Sequence, residues 1–225
     1  MKQLQAAVLS FPGSNGDQDL LEAFAAAGFA AYLHRAHEPL PQDVAVVGLP
    51  GGFSYGDYWR AGMLASQAAA VQGLRAHVAL GGLVLGICNG LQILVEANLL
   101  PGALRYNAPP GFVHAQAEVE VAPAAKASPW LRGLAVGQRL RLPIAHGEGN
   151  YFHPEGAKRA QALAALTYVH NPNGSQASLA ALCDPSGQIL GIMPHPERAI
   201  DSLLGSADGL QIFTGAYQAL AGAQR

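Results

Sequence analysis

One short segment in the middle of the chain constrains the fold more than any other. The apolar run Leu83-Val-Leu85 predicts a buried strand, and Leu91-Gln-Ile-Leu-Val-Glu96 predicts a helix. Between them lies Gly86-Ile-Cys-Asn-Gly90, which places Cys88 at a sharp strand-to-helix turn between two glycines. Glycines permit such a tight turn because they carry no Cβ atom. This is the arrangement of a nucleophile elbow, with cysteine as the nucleophile.

A cysteine at this turn lies at the N-terminus of the following helix. The helix dipole and the free N–H groups stabilise negative charge on the sulfur there, which favours a nucleophilic role. The alternative is a small cysteine buried in the core after a strand, the commoner case for a cysteine considered alone. The two glycines favour the nucleophile, and a downstream histidine favours it further.

The segment Gly191-Ile-Met-Pro-His-Pro-Glu197 supplies the candidate base. A short apolar strand delivers His195 between two prolines, and Glu197 follows two residues later. Because side chains alternate along extended backbone, these two residues lie on the same side. The carboxylate can then accept one imidazole N–H and orient the ring. His-Pro-Glu alone is a weak signal, but with Cys88 it completes a set of nucleophile, base and orienting group.

A third segment supplies a candidate oxyanion hole. The apolar run at residues 43–49 predicts a strand that ends in Pro50-Gly-Gly-Phe53. In an open parallel sheet, ligands bind beyond the carboxyl ends of the strands, so these glycines are expected beside the elbow. We assign the oxyanion to the N–H groups of Gly52 and Asn89. An ordinary tight turn is the alternative for a bare pair of glycines.

The order of the other elements predicts an α/β fold. Unbroken apolar strands alternate with helices in the first half, which indicates a parallel sheet with helices on both faces. The predicted strands here are residues 5–11, 30–34, 43–49 and 83–85, and the helices are 17–27 and 63–77. Residues 113–121 alternate in polarity, which predicts a half-buried antiparallel strand. Further strands are predicted at 139–145, 164–169, 178–182 and 188–193, with a closing helix at 208–220.

Composition narrows the class of protein. The chain has 225 residues with no linker-like segment, which favours a single domain over residues 1–225. Its two cysteines, Cys88 and Cys183, are too few for a disulfide framework. A net charge of −2 with 12% charged residues argues against nucleic-acid or membrane-surface binding. No phosphate-binding loop, metal-binding cluster, targeting segment or membrane span is evident, so we expect a cytoplasmic protein without a metal.

These motifs resemble those of the class I, or triad-type, glutamine amidotransferases. The elbow with Gln92 four residues after Cys88, followed by Pro194-His-Pro-Glu197, carries this resemblance. A finer pattern resembles the family of glutaminase subunits of phosphoribosylformylglycinamidine synthase. Its segments are Phe11-Pro-Gly-Ser-Asn15, Pro50-Gly-Gly-Phe-Ser-Tyr-Gly-Asp-Tyr58, Leu100-Pro-Gly-Ala103, Pro143-Ile-Ala-His-Gly-Glu-Gly-Asn150, Asn171-Pro-Asn-Gly-Ser175, Met193-Pro-His-Pro-Glu-Arg-Ala199 and Leu203-Leu-Gly-Ser-Ala-Asp-Gly209. The chain departs from this family at Gly16, Leu91 and His114, where family members often carry Cys, Phe and Cys.

The resemblance implies a flavodoxin-like, mostly parallel sheet, with antiparallel strands in the C-terminal half. It also implies that the chain hydrolyses L-glutamine to glutamate and ammonia through Cys88, His195 and Glu197. The ammonia would pass to a large synthetase subunit, joined to the chain by a small bridging subunit, in purine synthesis. ATP and magnesium would bind to the synthetase, with no cofactor on this chain.

By the same similarity, five residues would bind glutamine: Gly51, Gln92, His146, Gly147 and Glu148. Two other functions remain compatible with the sequence. A stand-alone cysteine hydrolase, such as a peptidase or a γ-glutamyl hydrolase, shares the elbow, the base and the sheet. A non-catalytic scaffold subunit shares the fold, although the complete triad disfavours it.

Overall fold

The structure, a computed structural model, describes residues 3–124 and 128–223. The strands are β1 (Gln5–Ser10), β2 (Ala30–Arg35), β3 (Val46–Leu49), β4 (Leu83–Ile87), β5 (Ala103–Arg105), β6 (Val113–Val121), β7 (Arg139–His146), β8 (Asn150–Phe152), β9 (Ala164–Tyr168), β10 (Leu179–Cys183) and β11 (Ile189–Ile192). The helices are α1 (Asp17–Ala26), α2 (Ala69–Ala79), α3 (Asn89–Glu96), α4 (Ala157–Leu163) and α5 (Leu210–Ala223). No helix in the described ranges is long and apolar enough to cross a membrane.

Nine strands form one mixed sheet in the order β2-β1-β3-β4-β11-β10-β9-β6-β7. In the part of this order from β2 to β11, each pair of neighbouring strands is parallel. In the part from β11 to β7, each pair of neighbouring strands is antiparallel. A separate antiparallel pair joins β5 to β8. The predicted fold class is confirmed, with one addition: β11 comes from the C-terminal half of the chain but pairs in parallel with β4.

Helices cover both faces of the parallel half, and glycines in the strands let them approach closely. A Cβ atom on Gly48 in β3 would lie 2.7 Å from the ring of Phe24 in α1. A Cβ atom on Gly86 in β4 would lie 2.5 Å from Leu94 in α3. Because Gly86 pairs in register with Leu49, the residue after Gly48, the two glycines face opposite sides of the sheet. Helices α1 and α3 therefore pack on opposite faces.

Aromatic contacts attach the C-terminal helix to the first one. Phe213 of α5 meets Phe24 of α1 edge-to-face, with ring centroids 5.3 Å apart. Tyr217 packs in the same way on Phe29, at 5.1 Å. These rings, of which Phe24, Phe29 and Phe213 are buried, stabilise the face of the sheet that lies opposite α3.

The structure corrects the predicted start of one helix and adds three elements. The helix expected at 63–77 begins only at Ala69, since Ala65–Gln67 form a separate short turn and Ala68 is extended. Polar side chains favour this break: the Ser66 hydroxyl donates to the carbonyl of Met63 at 2.7 Å, and the Gln72 amide donates to the carbonyl of Ser66 at 2.8 Å. Strands β5 and β8 and helix α4 were not predicted, because each is short and lacks a clear period.

The close packing of α3 on β4 can be tested by adding a methyl group at Gly86. We expect Gly86→Ala to lower the free energy of unfolding by about 1–3 kcal/mol, because the new Cβ atom overlaps α3. The matched control is Gly73→Ala in α2, where a Cβ atom would lie 3.5 Å from its nearest neighbour. That variant is expected to gain ~0.5–1 kcal/mol. Denaturant unfolding measures both, and equal effects of the two variants would contradict this packing.

Candidate active site

Cys88 occupies the turn between β4 and α3. Its backbone has φ 51° and ψ −103°, a conformation that residues other than glycine rarely adopt. The Cys88 N–H donates to the carbonyl oxygen of Ile192 at 2.8 Å, which ties the turn to the end of β11. The residue is 7% exposed and lines a cavity of about 280 Å³. The sulfur therefore lies at a strained turn that opens on a cavity suited to a small metabolite.

The candidate base reaches the same cavity from β11. Ile192 pairs in parallel with Ile87, so the chain leaves β11 beside the elbow. His195 follows, and its Nδ1 lies 2.6 Å from Oε1 of Glu197. Both side chains are buried, and among the described residues Nε2 of His195 has no hydrogen-bond partner. Since His195 and Cys88 line one cavity, the unpartnered nitrogen is available for the thiol or for a substrate.

The surroundings of His195 stabilise its protonated form. Burial lowers the pKa of the imidazole, but the carboxylate of Glu197 and the sulfur of Cys88 raise it by more. The net shift of the pKa is upward from the ordinary value for histidine. A base becomes an imidazolium when it accepts the thiol proton, and this site favours that state.

Both candidate oxyanion donors are free. Gly52 has φ 142°, and a Cβ atom there would lie 2.7 Å from the backbone of Ser14 and Asn15. Only glycine fits this position. Neither the N–H of Gly52 nor that of Asn89 donates a hydrogen bond to another residue in the described part of the chain. Gly52 lines the same cavity as Cys88, and Asn89 directly follows Cys88 at the start of α3.

Most of the predicted site residues meet at this cavity. The lining includes Gly52, Cys88, Gln92, His146, Gly147, Glu148 and His195. Three other predicted residues support the lining from behind. Asn89 and Glu197 are buried, and Gly51 faces the His195 ring, since a Cβ atom on Gly51 would lie 2.8 Å from its Cε1. The predicted set is therefore one constellation in space.

Gln92, which we expected to bind substrate, also makes contacts within the protein. Its Oε1 accepts from the Asn89 side chain at 2.9 Å, and its Nε2 donates to the carbonyl of Glu148 at 2.9 Å. These bonds join the start of α3 to the segment between β7 and β8. Gln92 thus positions one wall of the cavity.

Asn107 supports the wall at residues 146–149 and was not predicted. Its side-chain oxygen accepts the N–H of Gly149 at 3.0 Å, and its nitrogen donates to the carbonyl of His146 at 2.9 Å. Burial, and then the neighbouring charge of His195, lower the pKa of His146 to about 4, so the His146 ring is neutral at neutral pH. A single asparagine between short strands carries no sequence signal of this role.

Asp57 is a second residue that the sequence did not reveal. It lines the cavity together with Glu148. Burial, and then the charge of Glu148, raise the pKa of Asp57 to about 6, although a hydrogen bond from Asn89 lowers it. The carboxyl groups of Asp57 and Glu148 thus both border the cavity.

Exposed aromatic residues surround the mouth of the cavity. Each is at least 51% exposed: Phe53, Tyr58, Trp59, Tyr106 and Phe112. Phe53, Tyr106 and Phe112 line the cavity, and the other two belong to the loop that carries Phe53. Clusters of exposed aromatic side chains are typical of surfaces that bind a partner.

Comparison with known proteins identifies the kind of enzyme to which this site belongs. Residues 3–211 match the CobB/CobQ-like glutamine amidotransferase domain. Phosphoribosylformylglycinamidine synthase subunit PurQ of a Jannaschia species is 44% identical over 98% of this chain and 100% of its own length. The protein of that name from Lacticaseibacillus paracasei is 45% identical over 93% of each chain.

Solved structures agree with these sequence matches. A chain in the structure of PurLQS from Thermotoga maritima is 35% identical, with a TM-score of 0.89, and the match covers 97% of this chain and 99% of that one. A glutamine amidotransferase from the same organism is 17% identical with a TM-score of 0.62, which shows the shared fold alone.

The position of the base can be tested at Gly51. We expect Gly51→Ala to push the His195 ring away from Cys88 and to lower kcat for glutamine hydrolysis roughly 10²-fold, the effect of a misplacement of about 1 Å. Ammonia release measures the rate, and Gly73→Ala serves as the distant control. Activity of Gly51→Ala equal to that of the control would show that the ring does not need this space.

Proposed function

Because the chain belongs to the glutamine amidotransferase family, and within it to the PurQ subunits of phosphoribosylformylglycinamidine synthase, we propose that it supplies ammonia from L-glutamine to that synthase. One observation carries the proposal. The buried pair of His195 and Glu197 lies beside Cys88, and in the described part of the chain the N–H groups of Gly52 and Asn89 donate no hydrogen bond. This set performs acyl transfer from an amide.

In the first step the sulfur of Cys88 attacks the side-chain amide carbon of glutamine. The thiol proton moves to Nε2 of His195, and Glu197 holds the ring through Nδ1. The electrons of the carbonyl bond move to its oxygen. The N–H groups of Gly52 and Asn89 stabilise the resulting oxyanion.

In the second step the carbon–nitrogen bond breaks. The leaving nitrogen takes the proton from His195 and departs as ammonia, and a glutamyl thioester remains on Cys88. Water then attacks the thioester while His195 accepts its proton. The carbon–sulfur bond breaks, glutamate leaves, and the proton returns to the thiol.

The PurLQS match supports a partnership with a large synthetase subunit and a small bridging subunit. In this proposal the synthetase holds ATP and magnesium, whereas this chain holds no cofactor. The chain acts in the cytoplasm, in purine synthesis. A stand-alone cysteine hydrolase is not favoured, because the relatives that match over nearly their whole length are synthase subunits.

The nucleophile can be tested with a glutamine analogue that carries a diazoketone. We expect one covalent adduct, at Cys88, by mass spectrometry. Cys183 is the internal control, since burial raises the pKa of its thiol to about 12 and makes it unreactive. In the complex, Cys88→Ser is expected to abolish synthesis from glutamine and to leave synthesis from free ammonia intact, whereas Cys183→Ser keeps both. An adduct at Cys183 would overturn the assignment.

The partnership can be tested by assaying the chain alone. We expect slow ammonia release from the isolated chain and a rise of roughly 10²–10³-fold with the partners, the value of one oxyanion donor brought into position. Steady-state ammonia release is measured with the chain alone, then with the synthetase, the small subunit and nucleotide. Full turnover by the chain alone, unchanged by the partners, would favour an independent hydrolase.

A further inference from the structure

We propose that the side chain of Asn89 is a positioning group that holds the two halves of the oxyanion hole together. The inference rests on the proposed glutaminase function. It adds a role for the Asn89 side chain to the role given to its N–H.

The carboxamide of Asn89 joins the loop that contains Ser54 and Asp57 to helix α3. Its oxygen accepts the N–H of Ser54 at 3.1 Å. Its nitrogen donates to Oε1 of Gln92 at 2.9 Å and to Oδ1 of Asp57 at 3.3 Å. The side chain is 1% exposed, so it makes these bonds out of contact with solvent, where losing a partner is most costly.

The loop that Asn89 holds needs external support. Tyr55, Asp57 and Trp59 all have positive φ values, of 53°, 53° and 67°. Three residues other than glycine in this region make the loop conformation unfavourable by itself, and such backbone persists only where its surroundings maintain it. Asn89 binds the loop on both sides of Tyr55, through Ser54 and Asp57.

This loop begins immediately after one oxyanion donor, and Asn89 carries the other. Gly52 lies two residues before Ser54 in the chain, and the N–H of Asn89 is the first of α3. A shift of the loop relative to α3 therefore changes the distance between the two donors. Oxyanion stabilisation requires both at the same oxygen atom, so the Asn89 side chain controls the geometry on which the rate depends.

The exposed residues Tyr58 and Trp59 directly follow Asp57. Contact with a partner at these rings acts on the loop, and through Asp57 on Asn89. A second contact between the loop and α3 is an ion pair between Arg60 and Glu96 at 2.6 Å, in which the arginine side chain is 62% exposed. Exposed ion pairs contribute little, so the buried bonds to Asn89 are the principal attachment of the loop to α3. Backbone hydrogen bonds from Phe53 to Gly13 and from Tyr55 to Pro12 hold the start of the loop on its other side.

A reciprocal exchange of donor and acceptor tests the bond between Asn89 and Asp57. In Asn89→Asp the side chain still accepts from Ser54 but no longer donates, and we expect kcat for glutamine to fall roughly 10²-fold with little change in KM. Asp57→Asn alone keeps an acceptor for the Asn89 amide, so we expect it to lower kcat less than Asn89→Asp does. The double variant Asn89→Asp with Asp57→Asn restores the bond with its direction reversed, and we expect it to recover most of the lost rate.

A second double variant separates the bond from the charge. Asn89→Asp with Asp57→Ala restores the net charge without a donor, and we expect no recovery. Asp57→Ala alone is expected to lower kcat more than Asp57→Asn alone, because only asparagine keeps an acceptor. This comparison tests the same bond if Asn89→Asp folds poorly. Glu96→Gln in α3 removes the ion pair to Arg60 of the same loop; it is the control and is expected to change kcat less than about twofold.

All variants are assayed in the complete complex, with synthesis from free ammonia as the check of assembly and alkylation of Cys88 by iodoacetamide as the check of the nucleophile. An unmodified complex that releases no ammonia from glutamine rejects the proposed function. If the unmodified complex is active, the positioning role of Asn89 is rejected when Asn89→Asp keeps the unmodified rate. It is also rejected when Asp57→Ala and Asp57→Asn restore the rate of Asn89→Asp equally.

Discussion

The parallel pairing of β4 with β11 is the interaction on which the site depends. It places the ends of two strands that are distant in sequence at one edge of the sheet, with Ile87 beside Ile192. The N–H of Cys88 donates to the carbonyl of Ile192, so the strained turn is itself part of this attachment. Because the pairing fixes where each chain segment leaves the sheet, it brings Cys88 and His195 to one cavity.

Burial gives this arrangement its chemical character. Glu197 is 2% exposed and holds His195 at 2.6 Å, in surroundings where an isolated charge is unfavourable. Each partner reduces the cost of burying the other, and the imidazolium is stabilised relative to the neutral ring. The pKa of the neighbouring His146 ring is shifted in the opposite direction, to about 4, because burial and then the charge of His195 lower it. Only one of the two imidazoles at the cavity is thus suited to accept a proton.

The parts of the site that residue patterns alone predicted are those defined by local chain geometry, whereas Gly51, Gln92 and residues 146–148 were expected only from the family resemblance. The elbow at Cys88 and the spacing of His195 and Glu197 depend on a few adjacent residues, and turn chemistry and alternation describe them well. The pairing of β11 with β4 depends on long-range contacts, which no local period encodes. The roles of Asn107 and Asp57 arise from hydrogen bonds between segments that are distant in sequence, and the late start of α2 arises from polar side chains that compete with the helix.

The catalytic groups of the site are held in place in two different ways. The nucleophile and the base lie at the ends of paired strands, where backbone hydrogen bonds determine their positions. The donor at Gly52 lies on a loop held to α3 chiefly by the side chain of Asn89. A partner that contacts the exposed aromatic residues of that loop therefore alters oxyanion stabilisation while Cys88 and His195 stay in place. Such a division lets catalysis depend on the assembled complex without any rearrangement of the triad, because the loop that responds is joined to α3 by side-chain bonds and not by strand pairing.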